Sequence, residues 1–382
     1  MDLFIRAREL SQVFSYNVKT RLTDVPVDIL SFQFRQTDYV NEIEQLQKQL
    51  LPTGFCPTTD DCIEENKQFE YTVFSPRTRD NHQNAILLLH GLNERSWDKY
   101  LTWAEQLVLT TGKPVILFPI AFHMNRAPRM WCNPRSILPW VNARKQEVSG
   151  IPNSTFANVA LSSRISKQPI RFYVSGLQSA YNILQLSHEI KSGQHSLFAE
   201  NCNIDIFAYS IGAFLSQIVL LANPDKLFTD SKLFMFCGGS IFSEMNGCAR
   251  DILDKEASDR LMNYYINEFM DEYPLNSTGG DISLEQAFRM MISPEMLKTE
   301  RESFFQSACN RIKAISLKAD VVIPTEGIMK ALGKASHSIL EELDFNFAYS
   351  HQIPFPMNDN RMDLVNNAFR QVFDKASAFF TK

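Results

Sequence analysis

The sequence contains no apolar run long enough to cross a bilayer. The longest strongly apolar segments of the 382 residues, such as 85–89 and 114–122, stop far short of the roughly 20 residues that a membrane-spanning helix needs. No two of the seven cysteines have the C-x-x-C spacing of zinc or redox sites. A formal net charge of −5 provides no overall basic field for binding a phosphate backbone, so nucleic acid is not expected as a partner.

The amino terminus also lacks the uninterrupted apolar core of a secretory signal. Charged residues interrupt its first ten positions at Asp2, Arg6, Arg8 and Glu9. The odd number of cysteines favours reduced, mostly buried thiols over a disulfide framework. These features predict a cytoplasmic protein, and the sequence assigns no oligomeric state.

The composition is that of a packed globular protein, with 45% apolar, 21% charged and 12% aromatic residues. From about residue 70 onward, strand-like and helix-like segments alternate, which predicts an α/β fold with a mostly parallel sheet and helices on both faces. Apolar runs predict strands over 84–90, 114–120, 203–209, 232–237, 313–319 and 341–347. Helical spacing predicts helices over 97–108, 173–184, 211–222 and 362–376, whereas 121–170 is predicted to be a long irregular stretch.

Three regions are predicted from this pattern. Residues 1–70 form an amino-terminal extension with an alternating segment at 27–34 and a helical one at 39–51. Residues 71–244 and 311–382 form the core. Residues 245–310 form a helical insertion that contains six of the 13 methionines.

The segment Ala208-Tyr209-Ser210-Ile211-Gly212 lies between a predicted strand and a predicted helix. This pattern is typical of a nucleophile elbow, a sharp turn that raises a serine hydroxyl above a sheet. Small residues at positions 208 and 212 let the strand and helix backbones approach closely. The alternative role for Ser210 is that of an ordinary helix N-cap.

Together with the elbow, other segments of the chain resemble the α/β-hydrolase superfamily from about residue 70 to 382. They are His90-Gly91-Leu92-Asn93, Lys318-Ala319-Asp320-Val321-Val322-Ile323-Pro324 and Tyr349-Ser350-His351-Gln352. The family's chain order of serine, acid and histidine is matched by Ser210, Asp320 and His351. Glu244 is an alternative acid, and His337 a less favoured histidine.

The resemblance assigns each group a role. Ser210 is the nucleophile, His351 the general base, and Asp320 the carboxylate that orients the imidazole. The oxyanion of a tetrahedral intermediate needs backbone donors, which the N–H groups of Ile211 and Leu92 would provide, with Asn93 as an alternative to Leu92. The insertion at 245–310 occupies the usual position of a cap, which predicts a lid rich in methionine and aromatic residues.

The segment 121–171 contains eight basic residues and a single acid, Glu147. Because it leaves the carboxyl end of a predicted strand, it is expected at the rim where α/β sheets bind ligands. Arg126 and Arg129 are the candidates for binding an anionic group of the substrate. The alternative is that these cations pair with acids elsewhere in the protein.

These features predict a serine hydrolase that cleaves a small-molecule carboxylic ester or thioester through an acyl-serine intermediate. Peptidase or acyltransferase chemistry with the same residues is a close variant. The mechanism requires neither a metal ion nor an organic cofactor. The alternative is a noncatalytic hydrolase-like protein that binds a ligand or a partner.

Overall fold

A nine-stranded sheet forms the centre of the computed structural model, within the described residues 2–16, 18–37, 41–51, 59–77, 81–273, 281–357 and 361–382. Its strands are β1 (Thr20–Arg21), β2 (Val27–Arg35), β3 (Gln68–Pro76), β4 (His82–Leu89), β5 (Val115–Leu117), β6 (Phe198–Tyr209), β7 (Leu233–Phe236), β8 (Ile312–Leu317) and β9 (Leu340–Leu343). They are ordered β1-β2-β3-β5-β4-β6-β7-β8-β9. The strands from β5 to β9 in this order are parallel, whereas β1, β2 and β3 pair in antiparallel fashion.

Side-chain alternation along the central strands divides the protein interior into two cores. In β4, Ala85 and Leu87 face one core, while Ile86 and Leu88 face the other. Successive side chains of a strand point to opposite faces, so a strand with apolar residues at every position is covered on both sides. This arrangement confirms the predicted mostly parallel sheet with helices on both faces.

Fifteen α-helices are described. They are α1 (Leu3–Val13), α2 (Asn41–Lys48), α3 (Glu64–Lys67), α4 (Asp98–Thr111), α5 (Pro134–Glu147), α6 (Val159–Lys167), α7 (Ile170–Lys191), α8 (Ile211–Ala222), α9 (Lys255–Asn267), α10 (Phe269–Glu272), α11 (Leu284–Met290), α12 (Lys298–Ser307), α13 (Thr325–Leu332), α14 (Ser336–Ile339) and α15 (Met362–Thr381). Helices α1, α4 and α15 cover one face of the sheet, and α7 and α8 cover the other. No helix within the described ranges is both long and apolar enough to span a membrane.

The amino-terminal region contributes two strands to the sheet. Strand β2 pairs with β3 along its whole length, and the boundary expected at residue 70 falls inside β3. Strands β1 and β2 therefore extend the sheet beyond β3. The helix predicted over 39–51 corresponds to α2, whereas Tyr39 lies outside the described residues.

The stretch 121–170 is not irregular as predicted, because it contains α5 and α6. Helix α5 begins with the N-cap Asn133 and with Pro134 in its first turn, where the missing proline N–H costs no hydrogen bond. Pro139 inside the same helix hides the helical pattern in the sequence. Helix α6 packs against α9 of the 245–310 insertion, and α11 of that insertion packs against α8.

Candidate active site

Ser210 lies at a strained turn between β6 and α8. Its backbone has φ 55° and ψ −120°, a conformation that non-glycine residues rarely adopt. A Cβ atom at Gly212 would lie 2.8 Å from the carbonyl oxygens of Leu89 and His90, so glycine is required where the helix crosses the end of β4. Gly238 meets the elbow from the other side, because a Cβ atom there would lie 2.9 Å from the Ser210 nitrogen. Gly238 was not among the residues predicted to shape this turn.

The structure brings Ser210, His351 and Asp320 together. Ser210 Oγ is 2.7 Å from His351 Nε2, and His351 Nδ1 is 2.7 Å from Asp320 Oδ2. The other oxygen of Asp320, Oδ1, accepts hydrogen bonds from the backbone N–H groups of Val322 and Ile323, both at 2.9 Å. All three side chains are buried. The carboxylate is therefore fixed by backbone donors with one oxygen left for the imidazole.

Tyr209 holds the loop that carries His351. Its hydroxyl donates a hydrogen bond to the carbonyl oxygen of His351, and the two rings stack with centroids 5.5 Å apart. Burial raises the pKa of the Tyr209 phenol well above its ordinary value, so it remains a donor. Lys99 lies over the Tyr209 ring at 4.5 Å and donates to the carbonyl oxygen of Gln352 at 3.2 Å. Neither Tyr209 nor Lys99 was expected to contribute.

The two alternative residues lie elsewhere. Glu244 forms an ion pair with Lys330 at 2.9 Å, and His337 is exposed on α14. Among the described acids, Asp320 is the one within hydrogen-bond distance of the His351 imidazole.

The candidate oxyanion donors, Leu92 and Ile211, line the same cavity. In the part of the chain that the structure describes, the N–H of neither residue is hydrogen-bonded to a protein acceptor. The N–H of Asn93, in contrast, donates to His123 Nε2 at 2.8 Å. Of the two alternatives weighed from the sequence, Leu92 therefore has the N–H that is available to a substrate.

His123 is able to hold Asn93 because its imidazole is neutral. Its Nδ1–H donates to the Ala121 carbonyl oxygen at 2.8 Å, which leaves the Nε2 lone pair for the Asn93 N–H. Burial lowers the pKa of His123 to about 4, and the neighbouring Arg126 and Arg95 act in the same direction.

Two further side chains fix the same loop. The N–H of Gly91 donates to the Tyr100 hydroxyl at 2.9 Å, and that hydroxyl donates to Glu94 Oε1 at 3.0 Å. His90 Nε2 accepts the Ile120 N–H at 2.9 Å. Burial lowers the pKa of His90 well below its ordinary value, which suits an acceptor that anchors the loop.

Two cavities meet at Leu92. The first is almost entirely apolar and includes Ile211, Phe214 and Phe288 in its walls. The second is more polar and includes Arg95. The two share Leu92, His123, Phe172 and Ser175, so they adjoin each other beside the elbow.

The predicted role of Arg126 is wrong. Its side chain is fully buried and donates to the backbone carbonyl oxygens of Pro119 and Asn66 and to Asn182 Oδ1, which makes it part of the protein interior. Arg129 is exposed, and it is not among the described residues that line the two cavities. Neither arginine is positioned to bind a substrate there.

The mostly parallel sheet, helices on both faces and strand-to-helix turn at Ser210 define the α/β-hydrolase fold. Within that class, the chain belongs to DUF6051, described as a family of unknown function, whose model matches residues 8–381. No curated protein is significantly similar to it in sequence.

Several solved structures are similar in overall chain path. A thermostable esterase from Pseudomonas putida ECU1011 is 9% identical, with 99% of this chain and 96% of that chain covered and a TM-score of 0.49. A hyperthermophilic esterase from the archaeon Pyrobaculum calidifontis is 10% identical, with coverages of 99% and 88% and a TM-score of 0.46. Carboxyl esterase 2 from the fungus Tuber melanosporum is 12% identical, with coverages of 100% and 98% and a TM-score of 0.43. At these identities the likeness concerns the fold alone.

Proposed function

We propose that the protein is a serine hydrolase that cleaves a carboxylic ester or thioester through an acyl-serine intermediate. The observation that carries this proposal is the continuous hydrogen-bonded chain from Ser210 through His351 to Asp320, with both side-chain distances at 2.7 Å. A hydroxyl bonded to an oriented imidazole is an activated nucleophile.

In the acylation step, Ser210 Oγ attacks the carbonyl carbon of the substrate while its proton passes to His351 Nε2. The resulting imidazolium is stabilised by Asp320, which accepts the Nδ1 proton in a hydrogen bond. The tetrahedral oxyanion binds the N–H groups of Leu92 and Ile211. When the intermediate collapses, His351 gives its Nε2 proton to the leaving oxygen or sulfur, and the acyl group remains on Ser210.

Deacylation repeats these steps with water as the nucleophile. His351 Nε2 takes a proton from the water as its oxygen attacks the acyl carbon, and the same donors bind the second oxyanion. Collapse breaks the bond to Ser210 Oγ, which regains its proton from His351. The products are a carboxylic acid and an alcohol or thiol.

The apolar cavity beside the two proposed oxyanion donors supports a substrate with an apolar arm. Its walls include Phe172, Phe214 and Phe288. Helix α11, which supplies Phe288, belongs to the 245–310 insertion, so the proposed lid contributes directly to this binding surface. Contact with these side chains would hold the arm while the carbonyl group reaches Ser210.

The test is labelling with a fluorophosphonate probe together with hydrolysis of p-nitrophenyl butyrate. We expect the wild-type protein to be labelled and active, and Ser210→Ala to lose both properties while its thermal unfolding is unchanged. Ser307→Ala, which removes an exposed hydroxyl on α12, serves as the matched control and should retain both. A folded wild-type protein that neither reacts with the probe nor hydrolyses esters or thioesters would support the noncatalytic alternative.

A further inference from the structure

Arg95 ends the loop of residues 90–95 that carries the proposed oxyanion donor Leu92, and it lines the polar cavity. Its Nη2 donates to the carbonyl oxygen of Ala157. No described carboxylate lies within ion-pair distance of it; Asp251 attracts the guanidinium from farther away, and the Asp251 side chain is exposed.

The other cations near this cavity each have a carboxylate partner, although Arg164 and Arg171 share one between them. Arg164 lies 2.8 Å from Asp60 and also stacks on Trp131 at 4.6 Å, and Arg171 pairs with the same Asp60 carboxylate. Glu94, a carboxylate that lines the same cavity, is neutralised by its ion pair with Lys99. Arg95 is therefore the cavity cation whose charge is least compensated by the described residues.

The environment of Arg95 makes a bound anion favourable. Burial lowers the pKa of its guanidinium, which reflects the cost of keeping this charge away from water. A carboxylate placed against the free edge of a guanidinium forms charge-assisted hydrogen bonds and offsets that cost. A single guanidinium matches a monoanion better than it matches a doubly charged phosphate.

We propose that the substrate carries a carboxylate on the arm that enters the polar cavity, where Arg95 binds it, while the opposite arm occupies the apolar cavity. This inference rests on the proposed hydrolase function and names the class of substrate for the same site. It also replaces Arg126 and Arg129 by Arg95 as the residue that recognises an anion. The two arms are assigned to the two cavities because these cavities adjoin at Leu92, beside the proposed position of the substrate carbonyl group.

The experiment compares kcat/KM for paired esters that differ only in charge. One series has the carboxylate on the acyl arm, such as p-nitrophenyl hydrogen glutarate and its longer homologues, each paired with its methyl ester. The second series has it on the leaving arm, such as the butyrate of 4-hydroxybenzoate paired with that of its methyl ester. The series that shows the preference identifies which arm enters the polar cavity.

In wild-type protein we expect the carboxylate substrate to be preferred by about tenfold to a hundredfold in one of the two series, as charge-assisted hydrogen bonds provide. Arg95→Met should reduce this ratio to near one. Arg95→Lys, which keeps the charge but loses the planar pair of donors, should retain part of it. Arg129→Ala removes an exposed arginine from the same region and should leave the ratio unchanged.

Binding provides a measurement that does not require turnover. With Ser210→Ala, calorimetry should find that the carboxylate member of the preferred series, p-nitrophenyl hydrogen glutarate (or a longer homologue) or the butyrate of 4-hydroxybenzoate, binds at least tenfold more tightly than its methyl ester. The additional change Arg95→Met should remove that difference. Equal affinities for both members of every pair, or a preference that survives Arg95→Met, would overturn the inference. If the wild-type protein hydrolyses none of these esters but the binding difference remains, the proposed function is overturned and the anion site at Arg95 is retained.

Discussion

Two sides of the candidate site are built by opposite means. On the elbow side, backbone groups fix Ser210 and Asp320, whereas the loop that carries their partner His351 is held by the Tyr209 hydroxyl. Two backbone N–H groups hold the carboxylate of Asp320, and the close approach of Gly212 to β4 fixes the turn that presents Ser210.

On the loop side, residues 90–95, side chains fix the backbone instead. The hydroxyl of Tyr100 accepts the Gly91 N–H, and the imidazole of His123 accepts the Asn93 N–H. Between these two anchored positions lies Leu92, whose own N–H has no described protein acceptor. The loop is therefore positioned by side chains outside it, one on α4 and one that follows 30 residues after Asn93.

This difference predicts different sensitivities. Activity on the elbow side depends on which side-chain atoms donate and which accept hydrogen bonds. The backbone N–H groups that face these atoms can only donate, so they fix the orientation of any replacement side chain. The position of the loop depends on two side-chain acceptors. Protonation of one, or removal of a single oxygen atom from the other, abolishes its hydrogen bond to the loop. Substitutions on the elbow side should therefore affect turnover most. Substitutions or protonation on the loop side should affect stability and the position of the loop.

The largest expected effect is that of Asp320→Asn. The asparagine oxygen must face the N–H groups of Val322 and Ile323, so the amide NH2 faces His351 Nδ1. The imidazole proton then moves to Nε2. A protonated Nε2 has no lone pair with which to accept the proton of Ser210. We expect kcat/KM to fall by about ten-thousand-fold, or about 5 kcal/mol in activation free energy, with the fold intact.

Glu244→Gln is the matched control, because Glu244 is paired with Lys330 away from the imidazole. It should change kcat/KM by less than threefold. If Glu244→Gln were inactive and Asp320→Asn active, the acid would have been assigned to the wrong residue, and the contrast between the two sides would fail.

Local sequence rules could predict the elbow side. A sharp strand-to-helix turn requires small residues on both sides of Ser210, and the order of the three catalytic candidates along the chain is characteristic of the resemblance. The glycine contact at Gly238 was not predictable in the same way, because it depends on how β7 packs beside the elbow. Nothing in its immediate sequence indicates this contact.

The loop side and the arginines required three-dimensional information. Tyr100 appears in the sequence as one apolar position on a helix face, although its hydroxyl holds Gly91. Arg126 appeared to be a ligand contact because its side-chain acceptors, on Asn66 and Asn182, lie 60 and 56 residues away in the sequence. The excess of cations in 121–171 is visible in the sequence, but which of them are paired inside the protein depends on the fold.

The second prediction concerns acid sensitivity of the loop side. His123 must be neutral to accept the Asn93 N–H, and its pKa is about 4 in the folded protein compared with an ordinary value of 6.5. The unfolded chain therefore binds more protons between these two values, so the contribution of His123 is complete above about pH 6.5 and is lost as the pH falls toward 4. We expect this uptake of a proton by His123 on unfolding to lower the free energy of unfolding by about 2 kcal/mol as the pH falls from 7.5 to 5.0.

Urea unfolding at the two pH values measures this change. In His123→Gln, whose amide oxygen does not titrate, the loss between pH 7.5 and 5.0 should be smaller than in the wild-type protein by about 2 kcal/mol. His337→Gln, which removes an exposed histidine, should show the wild-type loss. An equal loss in His123→Gln and wild type would show that His123 is not the group whose protonation destabilises the loop side.

The smallest expected effect is that of Tyr100→Phe, which removes one oxygen atom from the loop side. The Gly91 N–H, buried beside the elbow, loses its acceptor, and Glu94 loses a donor. We expect the free energy of unfolding to fall by about 1–2 kcal/mol. Because Leu92 shifts relative to Ser210, we also expect kcat to fall several-fold while KM changes less. Tyr264→Phe removes a hydroxyl bonded to Glu272 in the insertion and should leave kcat unchanged. If Tyr100→Phe lowered stability without changing kcat, the position of Leu92 would not depend on the hydrogen bond to Gly91, and the loop would be fixed by its backbone like the elbow.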